Sequence, residues 1–154
     1  MDISDLITPE GVICPLKVTS KKQALQALAR QAAKITDLDE RVIFDTLLER
    51  ERLGSTGVGN GIAIPHGRLA GLTALHGVFA TLARPIHFDA VDDQPVDLMF
   101  LLLAPESAGA DHLKALARVS RLLRDRAMCE KLRGADRPEG VYGLLTSHRA
   151  SQAA

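Results

Sequence analysis

Residues 95–104 read PVDLMFLLLA, an almost uninterrupted apolar run. The run is too short for a membrane span, which needs about 20 apolar residues. It is typical of a central β-strand that is covered by helices on both faces, because such a strand has no polar side to alternate with. The fold is therefore expected to be built around this strand.

Other segments have strand character because they are short, apolar and rich in β-branched residues. They are VIC at 12–14, IAI at 62–64 and HGVFATLA at 76–83. Pro65 favours an extended backbone in the residue before it, so we expect the strand at 62–64 to end at His66. The stretch RPIHFDAVDDQP at 84–95 supplies turns and room for a short edge strand.

Helical periodicity precedes the glycine-rich centre of the chain. Ser20 followed by Gln23 is typical of a capping box. The apolar residues after it repeat at three- and four-residue spacing, as on the buried stripe of a helix: Ala24, Leu25, Leu28, Ala32 and Ile35. Asp37 with Glu40 predicts the start of a second helix, which Gly54 ends.

The C-terminal part of the chain adds further helices. A helix that begins near 107 turns one stripe inward, and this stripe includes a histidine in the first turn: His112, Leu116, Val119 and Leu123. Shorter helices are predicted around 127–133 and 137–147, and the tail at about 150–154 is expected to fray. These patterns predict a single α/β domain over 1–154, with a mixed β-sheet sandwiched between α-helices.

Composition excludes several classes of function. The 19 basic and 19 acidic residues give a formal net charge of zero, and without Trp the chain lacks stacking platforms, so no nucleic acid is expected as a partner. Cys14 and Cys129 have no zinc or redox spacing, so we expect reduced thiols, no metal and no other cofactor. The acidic N-terminus is unlike a signal peptide. We therefore expect a cytoplasmic protein that is not embedded in a membrane.

The stretch GSTGVGNG at 54–61 has the composition of a nucleotide-binding loop, but its spacing excludes the two common types. A P-loop needs Gly-Lys-Ser/Thr at a helix start, and a dinucleotide fingerprint lies between a strand and a helix, whereas these glycines precede a strand. With Ser55 and Thr56, the loop can still present N–H groups and hydroxyls to an anion. It is equally typical of a flexible helix-to-strand connection, and both interpretations stay open.

His66 stands between Pro65 and Gly67, which restrict the backbone on one side and leave the ring approachable on the other. A neutral imidazole is a good nucleophile near pH 7 and forms covalent intermediates without a separate base. Taken alone, a histidine is more often a structural or surface residue. We interpret the histidines without a companion motif in that way: His76, His87 and His148.

Residues 50–68, RERLGSTGVGNGIAIPHGR, resemble the signature of enzyme IIA components of the bacterial phosphotransferase system, in the mannitol/fructose class. Within that class, the stretch from Gly54 to Arg68 is most similar to the nitrogen-regulatory branch. The early helix pair, the LMFLLLAP strand and the DHLKALARVSRLL helix also follow the family order. The resemblance thus covers about the whole chain.

The resemblance implies a phosphotransferase component that works through a phosphohistidine. By motif position, His66 would accept the phosphoryl group on its tele nitrogen, His112 would support it as the neighbouring histidine, and Arg50 would stabilise the phosphate. The implied phosphate-binding residues of the loop are Thr56, Gly57, Gly59 and Asn60. A purely structural explanation of Arg50 is that the helix dipole favours a cation in the last turn of the helix. Arg52 is a second candidate for stabilising the phosphate, because it lies only two positions away.

The resemblance also implies partners. The phosphate donor would be an HPr-like phosphocarrier protein, and the targets would be regulated proteins such as potassium transport components or sensor kinases. Alternatives are a sugar-specific enzyme IIA that passes phosphate to an enzyme IIB, and a small-anion or protein binding module that is never phosphorylated. A metal site formed by His66 and His112 is a less favoured alternative than these, because two histidines alone are a poor ligand set.

Partner docking is expected to involve an apolar rim around His66. Its candidate members are Val58, Ile62, Ile64 and Leu69, which lie close to His66 in the sequence.

Overall fold

The computed structural model describes residues 1–147. The strands are β1 (Val12–Leu16), β2 (Gly57–Gly59), β3 (Ile62–Ala63), β4 (His66–Leu69), β5 (His76–Ile86) and β6 (Val96–Pro105). The helices are α1 (Lys21–Thr36), α2 (Glu40–Arg52), α3 (Ala110–Arg124), α4 (Arg126–Gly134) and α5 (Pro138–Ser147), and short 3-10 turns at Ile3–Asp5 and Pro9–Gly11 precede β1. His148 and the tail expected to fray lie outside the described residues.

The strands form one mixed sheet in the order β1-β5-β6-β3-β2, with β4 also paired to β6. Strand β1 is parallel to β5, strands β3 and β4 are parallel to β6, and β5 and β6 are antiparallel. Helices cover both faces, so the predicted α/β sandwich around a mixed sheet is confirmed. Within residues 1–147, none of the helices combines the length and apolarity that a membrane span requires.

Strand β6 lies at the centre of the core, as its apolar run predicts. Its residues from Leu98 to Ala104 are fully buried. Successive side chains of a strand point to opposite faces of the sheet. Met99 and Leu101 accordingly belong to the apolar cluster with α1 and α2, whereas Leu98 and Phe100 belong to the cluster with α3, α4 and α5. One strand thus supplies both cores.

The caps of the first two helices differ in detail from the predictions. Ser20 caps α1 by accepting from the amide of Gln23 at 3.2 Å, but Gln23 accepts from the amide of Thr19 and not from that of Ser20. Asp39, rather than Asp37, caps α2. Asp37 instead ends α1 with a left-handed φ of 63°, a conformation that Asp tolerates better than most residues.

The strand predicted at 62–64 ends at Ala63, and a separate strand, β4, begins at His66, so the prediction that one strand ends at His66 is wrong. Pro65 has no N–H group and interrupts the strand, yet its carbonyl oxygen accepts from the amide of Leu102 at 2.9 Å. Pairing with β6 resumes at His66, which lies opposite Leu102, and runs to Leu69. The reason is the length of β6, which pairs on both sides of the proline.

Candidate active site

His66 begins β4, and its ring is oriented through Nδ1. This atom lies 2.9 Å from the carbonyl oxygen of Ile64. A carbonyl oxygen only accepts hydrogen bonds, so Nδ1 carries the proton of the neutral ring and Nε2 keeps its lone pair. The side chain is only partly buried. One backbone contact therefore defines which ring nitrogen carries the lone pair.

Arg50 reaches the other ring nitrogen from the last turn of α2. Its Nε lies 3.3 Å from Nε2 of His66, and its Nη1 donates to the carbonyl oxygen of Gly54 at 2.9 Å. The bond to Gly54 anchors the guanidinium beside the ring. Arg52, the competing arginine, is exposed. Of the two arginines, Arg50 is the one that contacts His66.

His112 lies in the first turn of α3 and points inward, with 6% of its surface exposed. Its ring centroid is 5.8 Å from that of His66, and the rings meet edge to face at 68°. Arg68 donates from Nε to Nδ1 of His112 at 3.1 Å, so neutral His112 carries its proton on Nε2. This Nε2 is buried and has no hydrogen-bond partner among residues 1–147. It is an unused donor in the site.

Burial lowers the pKa of both histidines below the ordinary value of 6.5. For His66 desolvation is the largest cause; the bond to Ile64 and the charge of Glu51 oppose it, and Arg50 adds to it. For His112 desolvation is again the largest cause, followed by the charges of His66 and Arg68. A lowered pKa keeps these imidazoles neutral at pH 7, which preserves the lone pair of His66.

The site thus combines a neutral nucleophilic nitrogen with a guanidinium and an unused imidazole N–H. Phosphoryl transfer needs this kind of positioning and charge stabilisation rather than further covalent help. By contrast, the part of the chain that the structure describes contains no group of three His, Cys, Asp or Glu side chains that could hold a metal ion. Cys14 and Cys129 are free thiols, as predicted.

Residues 5–148 match the sequence profile of the family described as "Phosphoenolpyruvate-dependent sugar phosphotransferase system, EIIA 2". The chain belongs to this family. A nitrogen regulatory protein of Bradyrhizobium diazoefficiens is 56% identical over 153 residues, which cover 99% of this chain and 100% of that protein. A fructose-specific EIIA component from Haloferax volcanii is 37% identical, over 94% of this chain and 97% of that protein.

A solved structure supports the same relationship. The crystal structure of nitrogen regulatory protein IIA-Ntr from Neisseria meningitidis matches with a TM-score of 0.88 and 35% identity, covering 94% of this chain and 99% of that chain. The resemblance to enzyme IIA components is therefore confirmed. This EIIA 2 protein is a component of a phosphotransfer system, with relatives that are named nitrogen regulatory proteins.

Glu51 connects the glycine loop of this EIIA 2 protein to the helical layer. Its carboxylate is buried and pairs with Nζ of Lys21 at 3.0 Å. The amide of Thr56 donates to Oε1 of Glu51 at 3.0 Å, and the hydroxyl of Thr56 donates to Oε2. The carbonyl oxygen of Thr56 accepts from the amide of Ile64 at 2.9 Å, and Ile64 in turn orients His66. A chain of hydrogen bonds therefore links the buried carboxylate to Nδ1 of His66.

The other loop residues also have partners within the protein. The amide of Gly57 donates to the hydroxyl of Ser55 at 3.0 Å, and the amide of Asn60 donates to Asp92 at 2.9 Å. Gly59 lies in the antiparallel pairing of β2 with β3. Binding a phosphate through the predicted loop residues, including Thr56, requires some of these bonds to exchange. The phosphate-binding role of the loop stays a prediction.

Sequence reasoning identified three of the residues that meet here, namely His66, His112 and Arg50, and missed Arg68 and Glu51. Arg68 had a usable signal, because residues two apart on a strand share one face and Arg68 follows His66 by two positions in β4. Glu51 had none. Its burial depends on Lys21 of α1, which the helical pattern of α2 does not reveal.

Three of the four residues predicted to form the apolar rim are almost fully buried, so the four do not form an exposed rim. Ile62, Ile64 and Leu69 are 4%, 4% and 3% exposed, whereas Val58 is 53% exposed. The buried residues lie in or next to strands that pair with β6, and they pack into the two cores. Proximity to His66 in the sequence did not indicate which side chains face solvent.

Proposed function

We propose that Nε2 of His66 accepts a phosphoryl group from the phosphohistidine of an HPr-like phosphocarrier protein. The observation that carries the proposal is the bond between Nδ1 of His66 and the carbonyl oxygen of Ile64, which leaves Nε2 as the nucleophile. The lowered pKa of His66 supports it, because the neutral ring is the reactive form.

In the proposed step, the lone pair of Nε2 attacks phosphorus while the bond between phosphorus and the donor's imidazole nitrogen breaks. The donor ring leaves with that electron pair, so no further reactant is needed. Nδ1 of His66 keeps its proton and donates it in a hydrogen bond to the carbonyl oxygen of Ile64, which stabilises the positive charge that the ring acquires. The guanidinium of Arg50 and the Nε2–H of His112 are the proposed donors to the phosphoryl oxygens.

The proposed output is regulation of other proteins by the phosphorylation state of His66. A phosphoimidazole adds roughly two negative charges. A partner that covers neutral His66 would have to bury that charge, which costs several kcal/mol, or on the order of a hundredfold in affinity. Phosphorylation would therefore act as a binding switch without refolding the domain.

The proposal is tested by incubating the protein with enzyme I, an HPr-type carrier and phosphoenolpyruvate, followed by intact mass measurement. One phosphate is expected on the wild type and none on His66→Ala. His87→Ala is the matched control, because His87 is an exposed histidine bonded to Asp89. A phosphate that is retained by His66→Ala, or is absent from the wild type, contradicts the assignment. The second result would favour a binding module that is never phosphorylated.

A second candidate function is sugar-specific phosphate transfer to an enzyme IIB. The relative from Haloferax volcanii favours it, because that protein is named as a fructose-specific EIIA component. The two functions differ in the fate of the phosphate. Rapid transfer from phosphorylated His66 to a purified fructose-type IIB domain would support the transport function, and a phosphate that stays on His66 would support the regulatory function.

A further inference from the structure

A groove runs between the glycine loop and helix α3, beside the strand that leads to His66. It encloses about 430 Å³. Val58, Ile62 and Ile64 form its apolar side, while Ser120, Arg121 and Arg124 of α3 form the other side. Val58 is exposed, whereas Ile62 and Ile64 form the floor. The groove is therefore an apolar trough with one cationic wall.

The groove continues into a second cavity of about 210 Å³ at the start of α4. The two cavities share Asn60, Ile62, Leu123 and Arg124, and the second adds Arg126, Cys129, Glu130 and Arg133. Arg133 is already paired with Asp97 at 2.9 Å. A peptide segment that lies over the first cavity therefore also meets the lining of the second.

The lining of the two cavities carries more arginines than acids, namely Arg121, Arg124, Arg126 and Arg133 against Glu130. Arg121, Arg124 and Arg126 are exposed. The dipole of α3 favours cations in its last turn, which explains why Arg121 and Arg124 are tolerated there. It does not explain why they border an apolar trough. A ligand with carboxylates and apolar side chains complements both features.

We propose that this groove binds an acidic segment of a partner protein, with apolar side chains over Val58, Ile62 and Ile64 and carboxylates against Arg121 and Arg124. The docking surface does not depend on phosphorylation of His66. Its coupling to phosphorylation does rest on the proposed function. Ile64 belongs to the groove floor and also accepts from Nδ1 of His66, so a phosphoryl dianion on His66 would repel an acidic occupant and weaken binding.

The test uses short labelled peptides in fluorescence anisotropy titrations against the full chain at low salt. One peptide alternates Glu-Asp pairs with Leu-Leu pairs, a second replaces the acids with Lys, and a third replaces the leucines with Ser. Only the acidic apolar peptide should bind, and raising the salt should weaken it. The double variant Arg121→Glu/Arg124→Glu should lose roughly tenfold or more in affinity.

The matched control is Lys22→Glu/Lys34→Glu, which reverses two exposed charges of α1 and should bind the acidic peptide like the wild type. Amide NMR shifts on binding should be confined to the groove. Absence of saturable binding, equal affinity for the Lys peptide, or an unchanged affinity in the Arg121→Glu/Arg124→Glu variant overturns the proposal. Equal binding to anionic vesicles or to a second copy of the chain would also do so.

Phosphate uptake separates this proposal from the function of His66. Arg121→Glu/Arg124→Glu should take up phosphate at the wild-type rate, because neither arginine contacts His66, Arg50 or His112. Slower uptake would make the groove part of the donor's docking surface and overturn the assignment to a regulated partner. If the wild type binds the peptide but takes up no phosphate, the docking proposal stands. The same result would refute the proposed function of His66 and the coupling of the groove to phosphorylation.

Discussion

Nε of Arg68 lies 3.1 Å from Nδ1 of His112, so a residue of the strand that begins with His66 fixes the proton of the second histidine on Nε2. His112 thereby presents a donor, and not a lone pair, to the site. Such control of a ring tautomer by a bond to the opposite nitrogen is a common way to orient histidine. The consequence is that Arg68 acts through His112 as a positioning residue.

Replacing Arg68 with Gln is expected to slow phosphate uptake by roughly tenfold, which corresponds to about 1.4 kcal/mol. The physical reason is the loss of the guanidinium that holds His112 in the Nε2–H tautomer. Two readouts check it, the rate of uptake and the ¹⁵N shifts of the His112 ring, which report the tautomer. Arg68→Lys should restore much of both, and Arg84→Gln, at an exposed position of β5, is the control. An unchanged tautomer population would contradict the positioning role.

Arg50→Ala is expected to slow phosphate uptake by roughly 100-fold, the usual effect of removing one preorganised donor to developing charge. Arg50 contacts Nε2 of His66, whereas Arg52 in the same helix turn is exposed. Arg52→Ala is therefore the matched control and should stay within a fewfold of the wild type. Single-turnover transfer from a phosphorylated HPr-type carrier measures both. Equal loss in the two variants would mean that general positive charge, and not contact, is what matters.

The acid limb of phosphate uptake is expected to lie below pH 6.5. Burial lowers the pKa of His66, so its neutral form persists to a lower pH than in an unperturbed imidazole, and the rate falls only as pH drops through that lowered pKa. NMR titration of the ring and the pH profile of uptake should give the same value. A His66 pKa at or above 6.5 would show that its hydrogen bond to Ile64 outweighs desolvation.

Glu51→Gln is expected to lower the free energy of unfolding by about 1–3 kcal/mol, because it leaves Lys21 without its buried partner and weakens the bonds to Thr56. Urea unfolding measures this loss. Glu49→Gln, at an exposed position of the same helix, should change stability by less than about 0.5 kcal/mol.

The same substitution has a second expected effect. The Glu51 charge raises the pKa of His66, so removing it should lower that pKa further. A Glu51→Gln variant that is as stable as the wild type and has an unchanged His66 titration would rule out the linking role of this carboxylate.

Local patterns indicated the five helices and four of the six strands in their order, but missed β2 and β4. Continuous apolarity at 95–104 indicated the central strand, and helical spacing indicated the buried stripe of α1, because both depend on neighbours in the sequence. Cap positions were less certain, since Asp37 and Asp39 both suit a helix start. The extent of β4 also could not be predicted, because it depends on pairing with a strand distant in the sequence, β6.

Contiguous residues were enough to predict the α/β class, the family signature at 50–68 and His66 as the candidate nucleophile. The folded structure was needed to see that the lone pair of His66 lies on Nε2, where it accepts from Arg50. It was also needed to see that His112 meets Arg68 across 44 positions of sequence and that Glu51 is buried against Lys21. The physical reason is that tautomers and buried charges depend on hydrogen-bond partners, and helix packing on the sheet is what brings those partners together.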